Sequence, residues 1–228
     1  MGIKYESVVP WGRTYDEYVD MFALTEADLD QYILGCGDGP ASFNSHMLRK
    51  GKRVISIDPI YQFNKAEIEE RIKDTYQNVI SQTRKNVDKF IWNKIRSVDE
   101  LGVVRMSAMK DFLADYEEGR KTGRYVYMEL PNLTFKDNEF DISLASHFLF
   151  LYTDNLSLDF HMQAIDEMLR VSREIRIFPL LDVNAARSSY VDPVINRYKN
   201  LDYIVEEVTV NYEFQKGGNR MLKIMKNS

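Results

Sequence analysis

The sequence predicts an α/β fold in which helices cover both faces of a mostly parallel sheet. Short apolar runs typical of buried strands alternate along the chain with segments of helical hydrophobic period, as in successive βαβ units. Near the C-terminus, two strand-like runs at 204–214 and 221–225 are separated by a glycine-rich turn signal at 216–219. The predicted sheet therefore has seven strands and ends in an antiparallel hairpin.

Length and composition favour one globular domain spanning residues 1–228. The hydrophobic fraction is 44% and the charged fraction 29%, ordinary values for a folded chain. The net charge of -5 gives no general attraction to nucleic acid or anionic membranes, so neither is the expected partner, although a local basic face is still open. There is no signal-peptide pattern and no apolar run of membrane-spanning length. The single cysteine, Cys36, excludes an intramolecular disulfide, and we predict a cytoplasmic protein.

The first half of the chain predicts two helices and two strands before a long insert. An amphipathic helix is expected over 15–29, a strand over 32–34, a crossover helix over 41–50 that ends at Gly51, and a strand over 53–57. Residues 61–124 are longer than a simple crossover and read as a helical insert, either a substrate lid or a homodimer surface. Within the insert, a helical period runs from residue 68 to residue 95, and a second helix is expected over 108–118 between Ser107 and Gly119.

The second half supplies the remaining strands. Strands are expected over 125–129, 141–145 and 174–181, with a helix over 158–169 and a loop over 182–200 before the hairpin. The histidines His46 and His161 lack neighbours at metal-ligand spacing, so no metal site is predicted.

A glycine-rich turn follows the first strand and marks the candidate site. Gly35, Gly37 and Gly39 can adopt positive φ and let a ligand approach the backbone. Asp58 follows at the separation of about 20 residues at which nucleotide-binding βαβ units place a ribose-binding carboxylate. Because ligands bind at the carboxyl ends of parallel strands, the glycines, Asp58, Glu129 and Ser146 should rim one crevice.

The segment before the first helix adds a possible ligand group. Arg13, close to Trp11 and Tyr18, could hold a ligand carboxylate with a bidentate fork or could be a solvated surface charge.

These motifs resemble those of class I S-adenosylmethionine-dependent methyltransferases, including bacterial members of undefined substrate. The resemblance is carried by the glycine motif at 33–39, by Ile57 and Asp58, by the segment 129–141 and by the C-terminal hairpin. It implies a Rossmann-like three-layer sandwich that binds S-adenosylmethionine and releases S-adenosylhomocysteine. One departure stands out, because many members have an acid where this chain has Ile33, so another group must contact the cofactor's ammonium.

The resemblance also implies a role for each matching residue. The backbone from Gly35 through Cys36 and Gly37 to Gly39 would lie along the methionine part, and Asp58 would hold the ribose. The groups implied at the adenine are Pro59, Ile60, Glu129 and the amide of Leu130. Ser146 and His147 would lie below the sulfonium, nearest to the acceptor.

The predicted activity is methyl transfer to an unidentified acceptor, most plausibly a small molecule. If the acceptor must lose a proton, His147 is the candidate base, although it could equally be a strand-end residue that only packs. The alternative function is a methyltransferase-like protein that binds the cofactor or a partner without activity. A dinucleotide site is disfavoured because Pro40 stands where the third glycine of that pattern would be needed.

Overall fold

The computed structural model describes residue 3 and residues 9–227, whose strands form one sheet. The strands are β1 (Ile33–Cys36), β2 (Val54–Ile57), β3 (Tyr125–Val126), β4 (Phe140–Ser146), β5 (Ser172–Phe178), β6 (Ile204–Thr209) and β7 (Arg220–Met225). Their order is β3-β2-β1-β4-β5-β7-β6. Strands β1 to β5 pair in parallel, and β7 is antiparallel to both β5 and β6. The predicted seven-stranded sheet with its terminal antiparallel hairpin is confirmed.

Helices cover both faces of this sheet. They are α1 (Tyr15–Met21), α2 (Glu26–Leu29), α3 (Phe43–Arg49), α4 (Lys65–Lys85), α5 (Val98–Lys121), α6 (Leu158–Val171) and α7 (Val191–Asn200). Successive β1 side chains point to opposite faces, so Ile33 packs with α1 and α3 whereas Leu34 packs with α6 and α7. The three-layer arrangement is therefore confirmed, with β1 buried on both sides.

The N-terminal region holds two helices, and the prediction of one helix over 15–29 was wrong. The chain turns after α1 at Ala23, which has a φ of 46°. Thr25 then caps α2, since its hydroxyl accepts a hydrogen bond from the Asp28 N–H while the Asp28 carboxylate accepts one from the Thr25 N–H. This second capping box starts a new helix in a new direction.

The helices between β2 and β3 also differ from the prediction. Helix α4 ends at Lys85 rather than near residue 95, and α5 begins after its cap Ser97 rather than after Ser107. Gly119 does not end α5 but lies inside it, where an added Cβ would be 2.3 Å from the Tyr125 ring. Because α5 packs on α3 and β3, it is the crossover helix of this βαβ unit. The proposed insert over 61–124 thus includes a regular element of the fold.

The turn between β6 and β7 is longer than predicted. The predicted strand over 204–214 was therefore too long, as was the helical period predicted to run to residue 95. Strand β6 ends at Thr209, and residues 210–219 leave the sheet to contact the chain after α4. The Ile91 N–H donates to the Phe214 carbonyl at 2.7 Å, and the Phe90 and Phe214 rings stack at 4.9 Å. The segments that follow α4 and β6 therefore contact each other rather than continuing as a helix and a strand.

Helix α7 lies in the region predicted as a loop over 182–200. Pro193 is in its first turn, where backbone N–H groups have no partner within the helix, so proline is tolerated there. Its buried side chains Val191, Val194 and Tyr198 have helical spacing.

Candidate functional site

The ends of β1, β2 and β4 and the segment after β3 surround a cavity of about 700 Å³. Gly37, Gly39, Asp58, Glu129 and Ser146 all line it. The sequence predicted site residues after β1, β2 and β3 and at the end of β4, and residues from all four of these positions line the same cavity.

The glycine turn forms one wall of the cavity. Gly37 and Gly39 have φ angles of 67° and 55°, a conformation that other residues adopt only with strain. An added Cβ at Gly37 would be 3.1 Å from the Phe148 ring. Gly35 and Cys36 are instead part of β1, and Cys36 is fully buried. Of the predicted glycine site, Gly37 and Gly39 thus line the cavity, whereas Gly35 and Cys36 do not.

Asp58 is held rigidly where β2 ends. Its Oδ2 accepts a hydrogen bond from the Gly39 N–H and its Oδ1 from the Ile60 N–H, each at 2.8 Å. Burial raises the pKa of Asp58 to about 6, although both hydrogen bonds favour the ionised form. Each oxygen keeps a lone pair, so the carboxylate can still accept hydrogen bonds from a ligand. Pro59 and Ile60 follow in a short 3₁₀ helix and also line the cavity.

The segment after β3 adds Glu129 and Leu130 to the lining. The Glu129 side chain is exposed, whereas Leu130 is buried. The Glu129 carbonyl accepts a hydrogen bond from the Asn132 N–H at 2.9 Å, which closes a tight turn. This turn presents a carboxylate and an apolar side chain from adjacent positions.

Ser146 and His147 lie where β4 ends. The Ser146 Oγ is 3.0 Å from the His147 Nδ1, and the His147 ring packs edge-on against Phe178. Burial, together with the charges of Arg13 and Arg105, holds the pKa of His147 well below its usual range. The imidazole is therefore neutral at pH 7 and can accept a proton, though only weakly.

Arg13 lines the cavity and is not a solvated surface charge. Its Nη1 donates to the Trp11 carbonyl at 2.7 Å, while its Nε is buried and has no hydrogen-bond partner in the part of the chain that the structure describes. Burial and the neighbouring Arg105 lower its pKa. A buried donor without a partner is costly, and an anion in the cavity would satisfy it.

A buried ion pair beside Arg13 was missed by the sequence analysis. Arg105 of α5 is fully buried and donates to both oxygens of Glu17 in α1, at 2.5 and 2.7 Å. The Tyr212 hydroxyl donates to the same carboxylate at 3.1 Å. Burial by itself would raise the pKa of Glu17. The charge of Arg105 and its hydrogen bonds outweigh this effect and lower the pKa to about 2. Glu17 thus neutralises Arg105 and leaves Arg13 without a carboxylate partner among the described residues.

Asp38 is the second residue that was missed, although it lies inside the glycine turn. Its oxygens accept hydrogen bonds from the hydroxyls of Tyr18 and Ser56, at 2.8 and 2.6 Å. Its side chain covers the Cα of Gly35, where an added Cβ would be 1.8 Å from Oδ2. The first glycine therefore makes room for an acidic side chain of the protein itself. An acid flanked by two glycines was the signal that could have revealed it.

Among the described residues, no three His, Cys, Asp or Glu side chains are grouped to hold a metal ion. The helices of this part of the chain include none that is both long and apolar enough to cross a membrane.

The strand order, the antiparallel end of the sheet and the strand-end site define the fold of the class I S-adenosylmethionine-dependent methyltransferases. The methyltransferase domain of the bacterial protein CtHen1 has the same fold, with a TM-score of 0.50 and 10% identity over 92% of this chain and 98% of that domain. In sequence, the chain is 40% identical over 225 residues to uncharacterized protein MJ0045 of Methanocaldococcus jannaschii, covering 97% of this chain and 98% of that protein. The chain belongs to the same family as MJ0045. No family model matches the sequence.

Proposed function

We propose that the protein is an S-adenosylmethionine-dependent methyltransferase that acts on a small molecule. The observation that carries the proposal is Asp58, a carboxylate fixed by two backbone N–H groups at the cavity edge beside a positive-φ glycine turn. This arrangement suits a nucleoside whose ribose hydroxyls donate to the remaining lone pairs of Asp58. It leaves the glycine backbone free for the chain attached to the ribose.

The other lining groups fit the remaining parts of the cofactor. Glu129 can accept from the adenine amino group, while Pro59, Ile60 and Leu130 supply apolar contacts to the ring. Arg13, with its unpartnered Nε, suits the carboxylate of the methionine part. When bound, the cofactor supplies a methyl group on a positively charged sulfur. The protein's task is then to align the acceptor with that methyl group, and such alignment can account for about 7–11 kcal/mol of the barrier.

In this proposal Ser146 and His147, which line the cavity, contact the acceptor. A neutral His147 can take a proton from an acceptor hydroxyl or ammonium, with its Nδ1 oriented by Ser146. The cavity lining includes the aromatic side chains Trp11, Phe148, Tyr152, Phe160 and Phe214. This lining supports a small acceptor with a sizeable apolar part.

The test is transfer of labelled methyl groups from S-adenosylmethionine into a cell extract separated by ultrafiltration into small molecules and macromolecules. We expect label in the small-molecule fraction with the wild-type protein and with Glu69→Gln, a matched substitution on the exposed face of α4. Asp58→Ala should abolish it. Label in the macromolecular fraction would contradict the acceptor class. Cofactor binding without label in either fraction would support the inactive alternative.

A further inference from the structure

Asp38 has no role in the function proposed so far, although it lines the cavity. The residue is 7% exposed, and its two hydrogen bonds come from Tyr18 in α1 and Ser56 in β2. A buried carboxylate is costly unless donors surround it. Two hydroxyls from different elements therefore hold this carboxylate at the base of the glycine turn.

Ile33, the position at which many proteins of this fold have an acid, cannot contact a ligand here. Its side chain is fully buried against α1 and α3. The cavity wall formed by the glycine turn therefore takes its negative charge from Asp38, five positions later in the chain.

The carboxylate has room for one more donor. An ionised carboxylate offers about four acceptor sites, and the hydroxyls of Tyr18 and Ser56 occupy two of them. Arg13 lines the same cavity, and its Nε has no hydrogen-bond partner among the described residues. The lining of the cavity thus includes both an acid and a guanidinium whose Nε is free to donate, a pair of groups that suits a zwitterionic amino acid.

We infer that Asp38 binds the ammonium group of the cofactor's methionine part, in place of the acid absent at Ile33. This inference rests on the proposed function, because it requires a cofactor with an amino-acid end. In this arrangement Asp38 holds the ammonium and Arg13 the carboxylate, so each charged group of the zwitterion has its own residue.

Three ligands separate this inference from the proposed function. S-Adenosylhomocysteine has both charged groups, its decarboxylated analogue keeps only the ammonium, and 5′-methylthioadenosine has neither. In calorimetric titrations, Asp38→Asn should lower the affinity for S-adenosylhomocysteine and for its decarboxylated analogue by about 10- to 100-fold. The affinity for 5′-methylthioadenosine should change by no more than about twofold. Arg13→Gln should weaken only S-adenosylhomocysteine, and Asp58→Asn should weaken all three.

The outcomes of this titration are distinct. If Asp38→Asn weakens no ligand, or weakens all three equally, the inference is overturned while the proposed cofactor stands. If the wild-type protein binds none of the three, the proposed function itself fails. Circular dichroism shows whether Asp38→Asn is folded, and if it is not, the pH dependence of the wild-type protein decides.

That pH dependence follows from the state of Asp38. Burial and the Asp58 charge raise its pKa to about 7, against the hydrogen bonds from Ser56 and Tyr18. Around Asp38, the pKa values of Tyr18, Cys36 and Tyr61 are raised, so these three groups stay neutral below pH 7. Titration of Asp58 changes the affinity for every ligand that has a ribose, and it therefore affects S-adenosylhomocysteine and 5′-methylthioadenosine alike.

Since the ammonium needs the ionised acid, the affinity for S-adenosylhomocysteine relative to 5′-methylthioadenosine should rise by up to about 15-fold from pH 5.5 to pH 7. A constant ratio over this range would overturn the inference.

Discussion

Replacing Glu17 by Gln tests the buried ion pair that joins α1 to α5 over the sheet. The substitution leaves the Arg105 charge, which is 0% exposed, without its carboxylate. The difference between the ordinary pKa of 4.5 and the folded-state pKa of about 2 corresponds to about 3 kcal/mol. Removing one partner of a buried pair costs about 3–5 kcal/mol. Both routes predict a loss of about 3 kcal/mol or more in the free energy of unfolding.

Urea unfolding at pH 7 measures this loss. The matched control is Glu69→Gln, which removes the exposed ion pair with Lys73 on α4 and should cost less than about 0.5 kcal/mol. Because the pKa of Glu17 is lowered on folding, its contribution is complete above pH 4.5 and is lost as the pH falls towards 2. If Glu17→Gln costs no more than Glu69→Gln, the reasoning on this pair is refuted.

Three further predictions concern the cavity itself. Gly37→Ala should destabilise the fold by about 1–2 kcal/mol in urea unfolding and also weaken the binding of S-adenosylhomocysteine. Gly51 has a similar φ of 71° but open space around it, so Gly51→Ala should affect stability alone. Equal ligand affinity in the two variants would count against the glycine turn as a wall of the ligand site. His147→Ala should lower turnover much more than cofactor affinity in steady-state and binding assays, and unchanged turnover would remove the base role. Because the pKa of His147 lies well below 6.5, wild-type turnover at saturating cofactor should show no loss centred near pH 6.5 between pH 8 and pH 6, and such a loss would contradict a neutral imidazole.

The strand framework could be predicted because its signals are local. The apolar run before the glycines, the run before Asp58 and the run before Ser146 each identify a buried strand within a few residues. Parallel pairing then brings their carboxyl ends together, so the members of the site on β1, β2 and β4 followed from the fold class alone.

The features that the sequence did not reveal depend on distant partners. Glu17 and Arg105 are 88 positions apart, and each looks like an ordinary helix-surface charge until α1 and α5 are packed together. Asp38 takes its hydrogen bonds from two other elements. The segment after α4 likewise takes a hydrogen bond and a ring contact from Phe214, far along the chain. The single domain, the homodimer through residues 61–124 and the cytoplasmic location stay predictions.

Calorimetric titration of the wild-type protein with S-adenosylhomocysteine tests the central claim most directly. The account predicts saturable binding at one site per chain, which Asp58→Ala weakens strongly because the ribose loses its fixed acceptor. No detectable heat of binding at millimolar ligand, or equal binding by Asp58→Ala, would contradict it.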